Sequence, residues 1–305
     1  MLINQEAIQA VFWNLRTSYN NAFDAAPSTW QKIGMKIPSG SRENIYAWLE
    51  RFPRMRRWIG EKHVKAMEAH GYTVVNEDWE ATIEVDRNDI ADDNLGIYAP
   101  QAQSAGYSAK QLPDEIVYEL VNNAFTNLCY DGQSFFSQAH IVRGQPVSNL
   151  SRLPLTIAGQ AAAMKTYGAV RTSMRKITDE EGRPLGVTPN VLLVPPALED
   201  TANALMTNER LNDGMPNPYK GTAEVVCEAR LTSDTSWYLL DTTKPVRPFV
   251  YQERMAPVFV QQTDPEADDV FMRKKFKFGA EARAAGGYGF WQLAYGSDGT
   301  AAVPV

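Results

Sequence analysis

Trp79-Glu80-Ala81-Thr82-Ile83-Glu84-Val85-Asp86 alternates apolar and polar side chains residue by residue. That period of two belongs to a strand with one dry face and one wet one. Upstream, Tyr72–Val75 is a second β-prone run, and Asn76-Glu77-Asp78 offers turn chemistry between the two. The pair is expected to fold as a hairpin. Before it, Arg51, Arg54, Arg56, Arg57, Lys62 and Lys65 crowd around Trp58, opposed only by Glu61. A long charged hairpin of this kind has few residues with which to bury either face. It needs something else to lie against.

Outward from the hairpin, helices and strands mix. A helix is expected from Pro113 to about Leu128. Pro113 suits the first turn, Asp114 and Glu115 sit at the positive dipole end, and Ile116, Leu120, Ala124 and Leu128 recur at four-residue steps. A second is expected after a capping Thr156, with Ala163, Tyr167, Val170, Met174 and Ile177 on one face. Val191–Val194 reads as a buried strand, and Pro195-Pro196 opens a third helix. Short strands are expected at residues 225–227, 237–240, 246–251 and 258–261. A longer one is expected at 270–278, interrupted by Lys274, and Gly286-Gly287-Tyr288-Gly289 reads as a flexible turn. Without a regular βαβ alternation, the fold class is α+β.

Five of the seven tryptophans (Trp13, Trp30, Trp48, Trp58 and Trp79) fall in the first 80 residues. Beyond an amphipathic start at residues 3–15, this region has little sustained periodicity. Rich in Trp, Tyr and Arg but poor in aliphatic runs, it reads as a contact surface and not as a core. The whole chain, 305 residues with 44% hydrophobic and 22% charged, has a net charge of −6. Such a balance argues against a dedicated nucleic-acid binder. No apolar run approaches the length of a membrane span, and residues 1–8 lack the features of a signal peptide. Cys129 and Cys227 are expected as free thiols in a reducing compartment.

Chemistry-bearing motifs are missing. None of His63, His70 and His140 sits in a zinc-protease pattern, and neither cysteine belongs to a C-x-x-C pair. The glycine-rich run lacks the following Lys-Ser/Thr of a phosphate loop, and no nucleophile elbow occurs. No catalytic residue, cofactor or metal is expected, and the chain is read as a non-enzyme. The basic cluster at residues 51–65 has two functional readings: phosphate binding, or pairing with an acidic surface on another copy. Glu80, Glu84, Asp86, Asp89, Asp92 and Asp93 would supply that surface, and the net acidity favours the second reading.

The basic arm and strand running to Asp93, the long helix, Asp131-Gly132-Gln133-Ser134-Phe135-Phe136, residues 191–199, residues 237–241 and the basic strand near Lys274 follow one another in a fixed order. That ordered set resembles the Mu-type phage and prophage major head subunit family over nearly the whole chain. The resemblance implies the tailed-phage capsid fold first described for phage Hong Kong 97. Its parts would be an N-terminal arm (1–50), an extended E-loop (51–90), a P-domain with its spine helix (91–150), an A-domain (151–250), and a return to the P-domain and C-terminus (251–305). It further implies a structural protein of the virion that assembles with other copies, as pentamers and hexamers, into an icosahedral shell around double-stranded DNA held without sequence specificity. The contacts between copies are expected at Trp30, Arg54, Arg56, Arg57, Trp58, Glu80, Glu84 and Asp86. No long helical extension precedes the arm, so a separate scaffolding protein and a maturation protease are expected, with a portal protein and assembly in the host bacterial cytoplasm. No Lys–Asn pair poised for crosslinking is recognised. The competing readings are an encapsulin-like compartment shell and a nucleic-acid-binding protein working through residues 51–65.

Overall fold

A computed structural model of the chain describes residues 5–46, 72–91, 95–179, 181–262, 264 and 268–303. In chain order the first half holds helix α1 (Gln5–Ala25), strands β1 (Gly34–Pro38), β2 (Glu43–Tyr46), β3 (Tyr72–Val75) and β4 (Glu77–Asp86), and helices α2 (Arg87–Ala91) and α3 (Ala99–Asn122). Strands β5 (His140–Val142), β6 (Gln145–Val147) and β7 (Leu150–Ser151) follow. Then come helices α4 (Gln160–Ala163) and α5 (Ala169–Arg175), joined by a π-helical turn at Met164–Gly168. The second half continues with strand β8 (Val191–Val194), helix α6 (Glu199–Thr207), and strands β9 (Glu224–Cys227), β10 (Trp237–Leu240) and β11 (Phe249–Gln262). Helix α7 (Asp268–Arg273) and strands β12 (Lys275–Tyr288) and β13 (Ala294–Ser297) close the chain.

The alternation at residues 79–86 does make a strand, but its partner lies two hundred residues on. β4 pairs antiparallel with β12, setting Val85 opposite Phe276 and Ile83 opposite Phe278. β12 pairs antiparallel with β11, and β1 completes a four-stranded sheet parallel to β11. The expected β3–β4 hairpin does not form: β3 pairs with β2 instead. Asn76 makes a buried corner between them, donating to Ser39 Oγ and the Ser41 carbonyl at 2.9 Å and accepting from Gln252 Nε2 at 2.7 Å. Turn-forming side chains serve a corner as well as a tight turn, which is why the local signal misleads.

The long helix also differs from its expected bounds. It begins at Ala99, carries Pro113 in its interior and ends at Asn122. Residues 99–110 bury Ala102, Ala105 and Gly106, too small to print an apolar stripe. They are small because α1 crosses there. A Cβ on Gly106 would sit 3.0 Å from the carbonyl carbon of Tyr19 and 3.1 Å from its Cα, and closer still to its oxygen. The C-terminal glycines are likewise part of a strand and not a turn. At Gly286 a Cβ would come within 2.7 Å of Leu120 and 2.8 Å of Ile116, so the missing side chain lets α3 lie on the sheet. The strand expected at residues 270–278 is split: α7 ends before Lys274, whose φ of 57° breaks the chain direction, and β12 starts after it.

A second sheet runs β7-β13-β10-β8-β9, with α6 packed on β8 and β9. Val191–Val194 and Trp237–Leu240 are buried at every residue, as their unbroken apolar runs require. The helix expected after Thr156 starts at Gln160, whose amide donates to Asp213 Oδ2 at 2.7 Å across a long sequence gap. One core runs from Trp30 through Ile116, Val117, Val121, Phe135 and Phe136 to Leu192 and Leu239, spanning both sheets. A second gathers Ile8, Val11, Leu15 and Tyr19 of α1 against Ile83, Val85, Phe259, Phe276 and Phe278. The front of the chain therefore has an interior of its own over α1, contrary to the reading from composition. Both cysteines are free thiols. Among the described residues no helix is long and apolar enough to cross a membrane.

Candidate assembly surfaces

β2 and β3 form a two-stranded ribbon, with Ile45 opposite Thr73 and Tyr46 opposite Tyr72. A ribbon this short is marginal alone, and its inner face is tied to the four-stranded sheet. The Tyr46 hydroxyl donates to Gln252 Oε1 at 2.7 Å, and the Tyr288 amide donates to the Tyr72 hydroxyl at 3.3 Å. Val74 packs where Gly287 leaves room, and its carbonyl accepts from Gln252 Nε2. Burial pushes the phenols of Tyr46 and Tyr72 above their ordinary value, so they act as neutral hydrogen-bonding groups. The outer face is different. Ile45 is 61% exposed and Val75 45%, apolar side chains on an anchored ribbon with nothing of the described chain above them. Residues 47–71, which join the two strands, lie outside the described residues and take Arg54, Arg56, Arg57 and Trp58 with them.

Glu80, Glu84 and Asp86 share the wet face of β4. Glu84 meets Lys275 at 2.6 Å, and the hydrogen bond and charge of that lysine hold its carboxyl below the usual carboxylate range. Asp86 accepts from the Asn88 amide at 2.8 Å and so caps α2. Glu80 accepts from Thr82 Oγ1 and stands directly opposite Glu281 in the ladder. Neither of those two carboxylates has an ion-pair partner among the described residues. Like charges facing each other across strands are unfavourable until a cation joins them.

Trp30 lies elsewhere. It is buried against Tyr251, ring centroids 5.1 Å apart, and its amide donates to Asp114 Oδ1 at 2.8 Å. The same carboxylate accepts from Ser28 Oγ at 2.6 Å and from the Thr29 amide at 2.7 Å. Asp114, legible in the sequence only as a helix-start charge, is thus the buried post that fastens the arm after α1 onto α3. Trp30 is packed inside its own chain and presents no surface to a neighbour.

A long helix laid on a twisted four-stranded sheet, a separate five-stranded sheet and an outward ribbon with an uncovered face make an architecture suited to tiling. The family model described as Mu-like prophage major head subunit gpT matches residues 8–159, 155–231 and 228–302. The chain belongs to the Mu-like major head subunit family. The major capsid protein of Escherichia phage Mu is 33% identical over 96% of this chain and 74% of its own length. The Mu-like prophage FluMu major head subunit of Haemophilus influenzae is 30% identical over 97% of this chain and 75% of its own. Among solved structures, the procapsid of bacteriophage JBD30 superposes with a TM-score of 0.60 at 30% identity, covering 97% of this chain and 76% of that one. The head subunit thus has the tailed-phage capsid fold and is a structural component of the virion shell. Membership of the family supports the head-subunit reading, and nothing found supports the compartment-shell or nucleic-acid readings.

Proposed function

We propose that this head subunit closes its shell through two surfaces: the outer face of the β2–β3 ribbon and the acidic face of β4. The observation that carries this reading is the ribbon itself, anchored from below by Gln252 and Tyr288 yet apolar above at Ile45 and Val75. A neighbouring copy would cover that face, and shared burial around symmetry axes would add many weak contacts into one lattice. Glu80 and Glu281, opposed without a cation, would receive the basic segment of another copy, bringing Arg54, Arg56 and Arg57 to Glu80, Glu84 and Asp86, with Trp58 packed between.

On this reading the E-loop is the excursion from β2 to β3, shorter than residues 51–90, because Glu77–Asp86 is a member of the main sheet. The A-domain is the five-stranded sheet with α4–α6, and it takes its strand β13 from the C-terminus. The subunit works without catalysis, in the host cytoplasm, with a separate scaffolding protein, a maturation protease and a portal protein, and its shell holds double-stranded DNA without reading sequence. The test is co-expression with a scaffold. Ile45→Asp with Val75→Asp is expected to leave a folded subunit that yields no closed shells by electron microscopy; normal shells from that variant would refute the reading.

A further inference from the structure

We propose that Cys129, Asp131 and His140 form a binding site for one thiophilic divalent cation, with zinc the closest chemical match, in the loop that joins α3 to β5. The Cys129 sulfur, an Asp131 carboxylate oxygen and a His140 ring nitrogen lie within 4.8 Å of one another. Cys129 Sγ is 3.1 Å from Asp131 Oδ1, and His140 Nδ1 is 2.6 Å from Asp131 Oδ2. His140 Nε2 faces the Phe135 carbonyl oxygen at 3.3 Å. A carbonyl only accepts, so Nε2 carries a hydrogen, and Nδ1 is the nitrogen presented to the carboxylate. A carboxylate is an acceptor too, so a hydrogen bridges Nδ1 and Oδ2 at 2.6 Å. A metal ion bonding both at about 2.0–2.2 Å would replace that hydrogen and part the two atoms to about 3.3 Å. Holding the far imidazole nitrogen on a backbone carbonyl is the arrangement that orients a metal-bound histidine.

The surroundings make the group rigid. The imidazole is fully buried and stacks on Trp291 at 4.0 Å and 4°. The Gln133 amide donates to Asp131 Oδ1 at 3.0 Å, and the Cys129 amide to the Gln133 carbonyl at 2.8 Å. Asp131 alone of the three reaches solvent, its side chain 23% exposed, which gives both an access route and room for water as a fourth ligand. With a dication bound, neutral imidazole, carboxylate and thiolate sum to zero, the thiol proton leaving as the metal enters. A Cys-x-Asp with a histidine nine residues later matches no familiar zinc spacing, so the chain order hides the cluster.

Bound metal would clamp the loop that sends Phe135 and Phe136 into the core shared by both sheets. The test titrates the chelator-treated full-length chain with Zn²⁺ and Co²⁺ under reducing conditions. One equivalent bound, proton release on binding, and a thiolate-to-cobalt charge-transfer band in the near ultraviolet are expected. His140→Gln and Cys129→Ala should weaken binding at least about tenfold, since loss of even a supporting partner costs ten- to a hundredfold. Should those variants fail to fold, Cys227→Ala decides without touching the site. Cys129 is then the only thiol in the chain, and the band must persist. No band in that chain, or full binding by folded Cys129→Ala, overturns the proposal and leaves Asp131 and His140 a proton-filled clamp.

Discussion

Replacing Gly106 with alanine is expected to destabilise the subunit, against the usual rule for a glycine inside a helix. Propensity alone would favour alanine by about 1 kcal/mol. Here the new Cβ would lie 3.0 Å from the carbonyl carbon of Tyr19 and 3.1 Å from its Cα. Ordinary carbon–carbon contact is about 3.5–4.0 Å, so α1 and α3 must part by roughly 0.5–1 Å. The obstacle is backbone, not the flexible end of a side chain. Ala102 and Ala105 then lose their packing against Ile8, Val11, Leu15 and Tyr19. Overpacking of this kind costs up to about 3 kcal/mol, leaving a net loss of about 2 kcal/mol after the propensity gain. Urea unfolding of the isolated subunit reads the stability, and hydrogen exchange over residues 5–25 locates the loss. Gly40→Ala, which meets nothing within 4 Å, is the neutral control. If Gly106→Ala proves as stable as the parent or more so, the close helix crossing is not what selects glycine there.

Three further outcomes are expected. Asp114→Ala strands the Ser28 hydroxyl and the Thr29 and Trp30 amides. It should cost about 2–4 kcal/mol, and unchanged exchange protection at residues 28–33 would count against the buried post. At Asp131, burial alone would raise the carboxyl, but the hydrogen bond and charge of His140 outweigh it and hold it below the ordinary 3.8. A depressed native value stabilises the fold above pH 3.8, and that contribution is lost as the pH falls through the lower native value. Asp131→Asn should therefore flatten the acid limb of a stability–pH curve; an unchanged limb would show that the pair does not set it. Glu84→Gln breaks a solvent-exposed ion pair, so the melting temperature of the unassembled subunit should hardly move, whereas Glu80→Lys should slow assembly as followed by light scattering.

Where burial leaves a continuous mark in the chain, the fold is legible. Val191–Val194 and Trp237–Leu240 read as buried strands because both faces are dry, and the alternation at 79–86 marks a strand with one wet face. What stays hidden are pairings that close over distance and contacts made by absent side chains. β4 finds β12 far along the chain, and Gly106, Gly286 and Gly287 act by leaving room, the last two inside a run that the sequence presents as a turn. Pro113 marks a helix start by statistics, yet here the helix runs through it. At the candidate surfaces, Glu80, Glu84 and Asp86 were legible as a wet acidic face. Trp30 was not: a tryptophan among polar residues looks alike whether it meets a neighbour or its own core, and only Asp114 and Tyr251 reveal which. The uncovered face of Ile45 and Val75 emerges only once β3 is known to pair with β2.

The most direct test is a reconstruction by electron cryomicroscopy of particles assembled from this chain with its scaffold, at a resolution that shows side chains. Closed shells are expected in which Ile45 and Val75 of every copy lie beneath an adjacent subunit. Shells in which that ribbon face remains open to solvent, or folds against its own chain, would contradict the account.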